Sequence, residues 1–320
     1  MGQVPEAAVT DARFAAEATV EVNDVSKWFG QKVAVSELSC SFGPGVTGLL
    51  GPNGAGKTTF LRMMVGLLSP SEGRITLLGE GPRSNPEVLR RIGFVHEDEA
   101  VYEVFTAREF VTFNAALFGL SKPAEAADRA LEIVGLTDVA HRKVGTFSKG
   151  MRQRAKVAAA LAHDPIVLFL DEPLNGTDPV QRAHLIGLFS ELAENGHTVI
   201  VSSHVLHEVE RMADRVIAMV DGRLAAAGSV ADLRTAMTDI PRRIRIDTDV
   251  PRKVGAALLI QDWVEGVRLI DGTIHVEVRD PVALGHRLPA LCRDLGARLT
   301  RVDPEDTSLE SVFRYLVKPR

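Results

Sequence analysis

The sequence predicts an α/β fold with a mainly parallel sheet, followed by a smaller α+β unit. Three observations carry that expectation. Short apolar runs recur between helical stretches, at 46–50, 166–170, 198–201 and 216–220. The run at 166–170 is apolar throughout, the pattern of a strand buried on both faces. Between the first run and a helical stretch lies Gly51-Pro52-Asn53-Gly54-Ala55-Gly56-Lys57-Thr58-Thr59. It fits the phosphate-binding loop pattern G-x-x-x-x-G-K-[ST] at every fixed position, in the strand–loop–helix context the pattern needs.

Taken in order, residues 1–17 are small and polar and read as a flexible tail. Alternation at 19–22 reads as an edge strand, and 33–42 as a further strand pair. The run at 46–50 is a core strand, and a helix opens after the glycine loop. Gly73 and Gly79 bound another strand. Pro86 starts a short helix to residue 92, and 92–95 is a strand. The pattern is helical from Thr106 to about Val144, interrupted at Ser121-Lys122-Pro123; an inserted helical lobe over about 98–160 is expected. Ser148 caps a helix that Asp164-Pro165 stops. Then follow a strand at 166–170, a helix at 179–194, a strand at 198–201, a helix at 205–212 and a strand at 216–220.

The texture changes near Thr238, which sets the expected domains at 18–237 and 238–320. Ile244/Ile246, Ile274/Val276/Val278 and Leu299/Val302 mark short strands. Helices are expected at 251–260 and 282–295, with Pro289 kinking or restarting the second. Thr307-Ser308-Leu309-Glu310 is a capping box before a last helix.

Composition narrows the function. A net charge of -5 gives no general reason to expect nucleic acid as partner. Two distant cysteines, Cys40 and Cys292, make no disulfide framework or thiolate metal site. His204 and His207 lie three apart with no further cluster beside them, so a metal site there is not expected. No apolar run reaches the length of a membrane span, and the N-terminus has no signal pattern. A chain that works at a membrane without either must be held there by another chain.

The glycine loop points backbone N–H groups inward at a helix N-terminus, where the helix dipole favours an anion. Lys57 adds a full charge for β- and γ-phosphates, and the Thr58 hydroxyl is placed for Mg²⁺. A loop of this kind alone leaves kinases, G proteins, helicases and transport ATPases open. The next motif narrows the choice. Asp171-Glu172 ends the buried run at 166–170, where Asp171 is the metal-side carboxylate. Glu172 points differently, and is assigned as general base or water-orienting group.

With these motifs in order, the chain resembles the ATP-binding-cassette (ABC) ATPases. Phe147-Ser148-Lys149-Gly150-Met151-Arg152-Gln153-Arg154 is similar to their signature loop, Leu174-Asn175-Gly176-Thr177-Asp178-Pro179 to their D-loop, and Ser202-Ser203-His204 to their switch histidine. Six motifs cover roughly residues 18 to 236, and the Ser-Lys-Gly-Met wording looks most like ATPase subunits of ABC-2-type exporters. The resemblance implies a P-loop NTPase cassette with a parallel core, an antiparallel β edge and a helical lobe.

The resemblance also implies roles by position. Phe29 stacks on adenine, with Trp28 as the alternative ring. Gly51, Pro52, Asn53, Gly54, Ala55, Gly56, Lys57, Thr58 and Thr59 hold ATP. Thr58, Asp171 and Glu97 hold Mg²⁺. Ser148 and Gly150 reach the γ-phosphate of ATP on a second subunit, and Asp178 lies along that seam. Glu172, His204 and Lys57 serve catalysis, and His207 is surface. The implied partners are a separate transmembrane permease subunit and a second copy of the chain when ATP is present, at the cytoplasmic face of the cell membrane. Five phenylalanines, at 94, 105, 110, 113 and 118, fall near the groove that receives the permease in the family. Most are expected to be lobe core.

Three positions depart from the pattern: Glu97 for a glutamine, Lys149 for a glycine and Thr177 for a leucine. Glu97 adds negative charge beside ATP and bears on coupling more than on binding. The Lys149 ammonium reaches either phosphate or solvent. Two rival readings are a soluble ABC ATPase on ribosomes or DNA, and an idle regulatory cassette. The single cassette without a heptad run or basic balance argues against the first. Intact Lys57, Asp171, Glu172 and His204 argue against the second.

Overall fold

A computed structural model of the chain describes residues 17–97, 101–230 and 242–305. The expected tail up to residue 16 and the capping box at Thr307 lie outside them. The chain divides into two compact units, 1–230 and 231–320.

The first unit opens with β1 (Val20–Phe29), β2 (Lys32–Phe42), β3 (Gly45–Leu50), α1 (Lys57–Met64), β4 (Glu72–Leu77), α2 (Pro86–Leu89) and β5 (Ile92–Val95). The lobe helices α3 (Ala107–Leu117), α4 (Pro123–Ile133) and α5 (Lys149–Leu161) follow. The unit closes with β6 (Val167–Leu170), α6 (Pro179–Glu194), β7 (Thr198–Ser203), α7 (Leu206–Val209), β8 (Arg215–Val220) and β9 (Arg223–Ser229).

Six strands form one sheet in the order β5-β6-β7-β3-β8-β9. All its pairs are parallel except β8 with β9. The register ends β5 and β6 level with each other, and β3 and β7 two residues further on. Leu50 is paired with Ser203, and Leu170 with both Val95 and Val201. The residues that follow β3, β5, β6 and β7 therefore emerge along one edge, where ligands bind in open α/β sheets. A second, antiparallel sheet runs β2-β1-β4. Between the two sheets lies one apolar core, with Phe60, Leu61, Met63 and Met64 of α1 against Leu49, Phe169 and Ile200 on one side and Val20, Leu38 and Phe42 on the other.

Several expectations change. Residues 33–42 belong to one strand, β2, paired along β1 from Val20↔Phe42 to Phe29↔Lys32. Register shifts interrupt β1, and Asp24 and Glu37 have positive φ. Irregularities of this kind break the period of two on which alternation is read. β9 escapes the pattern because Leu-Ala-Ala-Ala-Gly-Ser is small and weakly apolar; its available signal was Asp221-Gly222, both at positive φ in a tight hairpin turn. α7 spans four residues, shorter than the 205–212 expected. Of the five phenylalanines only Phe110 is buried. Phe94, Phe110 and Phe118 line a groove of about 480 Å³ with His96 and His163, while Phe105 and Phe113 cluster on Tyr102.

The second unit runs β10 (Arg242–Thr248), α8 (Pro251–Leu259), β11 (Val264–Ile270), β12 (Thr273–Val278), α9 (Pro281–Asp294) and β13 (Leu299–Pro304). The antiparallel order β11-β12-β10-β13 makes it a ferredoxin-like split βαβ. Ile244, Ile246, Ile274, Val276 and Val278 pack with Val254, Leu258, Leu284 and Leu288 of the helices. Asp280 caps α9 by accepting from Val282 N and Ala283 N, and the helix continues through Pro289 without restarting.

Two outcomes follow from this packing. Phe60 is fully buried between the sheets, so Phe60→Ala is expected to cost about 3–5 kcal/mol in urea unfolding; a loss under about 1 kcal/mol contradicts this core. His163, stacked on Phe118 at 3.7 Å, donates from Nε2 to the Ile92 carbonyl at 2.8 Å. Burial holds its imidazole below the ordinary pKa. Below about pH 6.5 the unfolded chain then binds more protons than the folded one, so stability from neutral His163 is present above that pH and lost below it. Denaturation midpoints at about pH 7 and pH 5.5 should differ less in His163→Gln than in the parent chain; an equal drop in both removes His163 as a contributor.

Candidate active site

The loop between β3 and α1 has no room for side chains at two of its glycines. A Cβ on Gly51 would lie 2.3 Å from the Met219 carbonyl oxygen. A Cβ on Gly56 would lie 2.4 Å from the Ala34 carbonyl oxygen, and Gly56 has φ of +99°. Glycine is the residue that tolerates this backbone, and Gly56 is also the N-cap of α1. The loop is thus clamped between β2 and β8, with the first N–H groups of α1 left open for an anion.

Lys57 turns back over its own loop. Its Nζ donates to Gly51 O at 2.7 Å and Pro52 O at 3.3 Å, and lies 3.4 Å from Glu172 Oε1. Lys57 and Glu172 side chains are 6% and 8% exposed, so this is a buried ion pair. The other Glu172 oxygen, Oε2, accepts from His204 Nδ1 at 2.9 Å.

The two carboxylates at the end of β6 part company because of one backbone angle. Glu172 has φ of 48°, in the left-handed region that costs a non-glycine residue about 1 kcal/mol or more. That turn sends Asp171 inward and Glu172 toward the loop. Asp171 Oδ1 accepts from Ser202 Oγ at 2.8 Å and from Thr58 Oγ1 at 3.2 Å. Ser202 Oγ in turn accepts from Glu172 N at 2.8 Å. One hydroxyl therefore fixes both acidic residues. Its signal in the sequence was its place beside His204 at the end of a neighbouring strand, but no role was assigned to it there.

Asp171 Oδ2 is buried and has no hydrogen-bond partner among the described residues. An orphaned carboxylate oxygen with the Thr58 hydroxyl beside its partner oxygen suits a hard cation, so the donor set fits Mg²⁺. Among the described residues no three His, Cys, Asp or Glu converge on a metal. A phosphate-bound Mg²⁺ needs fewer protein ligands than that, because phosphate and water oxygens fill the rest.

A cleft of about 540 Å³ lies over this cluster, within the range of small-molecule sites. Phe29, Asn53 through Thr59, Glu97, Glu172, Asn175 and His204 line it. Phe29 is 51% exposed at the mouth, and its ring, unlike that of Trp28, forms part of the wall. Glu97 is exposed after β5 and faces both this cleft and a smaller polar chamber shared with Lys149, Arg152 and Gln153.

Ser148 and Asp178 do not line the cleft. Ser148 is the N-cap of α5, accepting from Met151 N at 3.2 Å. Gly150 is buried against Gln181, whose side-chain oxygen a Cβ would approach to 3.1 Å. Asp178 is the exposed N-cap of α6, accepting from Val180 N and Gln181 N. The Lys149 side chain lies over Gly176, where a Cβ would come within 2.3 Å of its Cε. Thr177 is buried and satisfied, donating to Leu174 O at 2.7 Å. His207 is exposed on α7.

Among the described residues no helix is long and apolar enough to cross a membrane. Residues 35–175 match the family described as ABC transporter. An uncharacterized ABC transporter ATP-binding protein of Bacillus subtilis, YxlF, is 36% identical over 272 residues, spanning 84% of this chain and 89% of its own length. The bacitracin transport ATP-binding protein BcrA of Enterococcus faecalis is 32% identical over 307 residues, spanning 94% of this chain and 97% of its own. The structure of CbiO1 from Clostridium perfringens, part of the ABC transporter complex CbiONQ, superposes with a TM-score of 0.62 at 25% identity, covering 68% of this chain and 91% of that one. Fold, motif geometry and relatives agree, and the chain belongs to the ATP-binding subunits of ABC transporters, its cassette an ATPase that binds ATP.

Proposed function

We propose that this chain drives an exporter by hydrolysing Mg²⁺-ATP between two copies of itself, at the cytoplasmic face of a membrane. The observation that carries the reading is the buried Lys57–Glu172 pair, with His204 on the other carboxylate oxygen, at the edge of the parallel sheet. The likeness to a bacitracin transport protein along nearly the whole chain supports the export direction.

The chemistry follows from the charges. Lys57 is held by Glu172 and two carbonyls until a phosphate enters the loop and competes for its ammonium. Glu172 then keeps His204 as its partner and is left to orient a water and take its proton. The water oxygen bonds to the γ-phosphorus, the bond to the bridging oxygen of ADP breaks, and phosphate departs. His204 and Lys57 donate to the phosphoryl oxygens as charge develops there. Thr58 and Asp171, with Glu97 nearby, would hold Mg²⁺, which would supply neutralisation of phosphate charge when bound. Phe29 stacks on the adenine.

The second copy completes the site. Ser148 and Gly150 open α5, and their N–H groups point at the γ-phosphate bound by the partner copy. Asp178 lies at the seam between copies. The groove with Phe94, Phe110 and Phe118 takes a helix of the separately encoded permease. The domain limits proposed for these roles are 18–237 for the cassette, with its lobe at about 98–160, and 238–320 for the smaller unit.

Glu172→Gln is expected to keep ATP binding and lower turnover by on the order of 10²–10⁴, with ATP then trapping a dimer that light scattering detects. Hydrolysis at the parental rate rejects the assignment of the base. Gly56→Ala is expected to abolish nucleotide binding, because the loop must move away from Ala34; fluorescent ATP titration with unchanged affinity contradicts the loop geometry.

A further inference from the structure

Glu208 is a charged side chain, 7% exposed, that the chemistry above does not use. It sits on α7, whose next residue Val209 is packed beneath Gly48 of β3. A Cβ on Gly48 would lie 2.2 Å from Val209 Cγ1, so the short helix rests directly on the strand backbone. Glu208 Oε1 lies 3.2 Å from Arg182 Nη1 on α6. Glu208 Oε2 accepts from Ser203 Oγ at 3.2 Å. Ser203 Oγ also accepts from Val205 N at 3.0 Å, which closes the turn that carries His204. At the other end, Arg182 Nη2 donates to Thr177 O at 3.3 Å.

These contacts form one continuous line. Thr177 precedes Asp178, and Ser203 precedes His204, whose Nδ1 reaches Glu172. The loop that presents Asp178 and the loop that presents His204 are thus tied to the two halves of one ion pair whose carboxylate is buried. Arg182 is 30% exposed and Glu208 7%, so the pair is partly screened at the guanidinium end, and separating it strands the buried Glu208 carboxylate. Neither loop can shift alone without that penalty.

We infer that Arg182 and Glu208 are a positioning pair, which holds His204 on Glu172 and makes its placement depend on the loop carrying Asp178. The inference rests on the reading of His204 and Glu172 given above. Asp178, exposed at the head of α6, is the part of the line that a second copy can touch. Contact there sets the register of His204 through Thr177, Arg182, Glu208 and Ser203.

The test is a double-mutant cycle on the full chain with Mg²⁺-ATP, measuring kcat, KM and thermal melting. Glu208→Gln keeps the side-chain shape and removes the charge. It is expected to lower kcat about tenfold, the factor of a lost hydrogen bond to a charged group, with KM changed by less than about twofold. In a His204→Ala background the same substitution should change kcat by less than about twofold, because the residue it positions is gone. Ser203→Ala, which removes only the hydroxyl link, should show the same non-additivity and covers the case in which Glu208→Gln does not fold. Equal factors in both backgrounds, tracking the loss of melting temperature, overturn the inference and leave a merely structural pair. A His204→Ala chain that turns over at the parental rate overturns the reading of His204 itself, and with it the inference.

Discussion

Everything at this site depends on keeping one buried carboxylate between the Lys57 ammonium and the His204 imidazole. Glu172 is almost fully out of water, with Lys57 on one oxygen and His204 on the other. A carboxylate so placed is costly unless both oxygens are engaged. The loop, the turn after β6 and the loop after β7 are constrained together by that requirement. The glycine loop and Glu172 are thereby joined through Lys57.

Ser202 supports this arrangement from behind. Its hydroxyl donates to Asp171 and accepts from the Glu172 backbone, so the inward and outward carboxylates are set by the same atom. The left-handed backbone at Glu172 is the strained turn that makes two adjacent acids face different ways. The strand register then brings Thr58 and His204 to the pair, because β3 and β7 end together just two residues beyond β6.

The departures from the family pattern become intelligible once they are placed. Lys149 has its stem over Gly176, a glycine with φ of +70°, so a small residue beneath makes room for a long one. Thr177 has a buried hydroxyl, and Leu174 O satisfies it. Glu97 faces the cleft and also the polar chamber that Lys149 lines. The added negative charge and the added positive charge border one volume.

The glycine loop, the acidic pair, Ser148 as a cap and the alternation of strands with helices were legible in the sequence. Each is local: a run of apolar residues, a turn residue or a cap states its geometry within a few positions. The bulged course of β1, the weakly apolar β9 and the partial burial of Phe94, Phe105 and Phe118 were not legible, because pairing partners and solvent contact decide them. Six motifs scattered over the chain singled out residues, but not their contacts. The neighbouring carboxyl ends of parallel strands decided that Lys57 and His204 reach the same Glu172 carboxylate, and that Ser202 fixes both acids. Strand register is a long-range property, and only the folded sheet sets it.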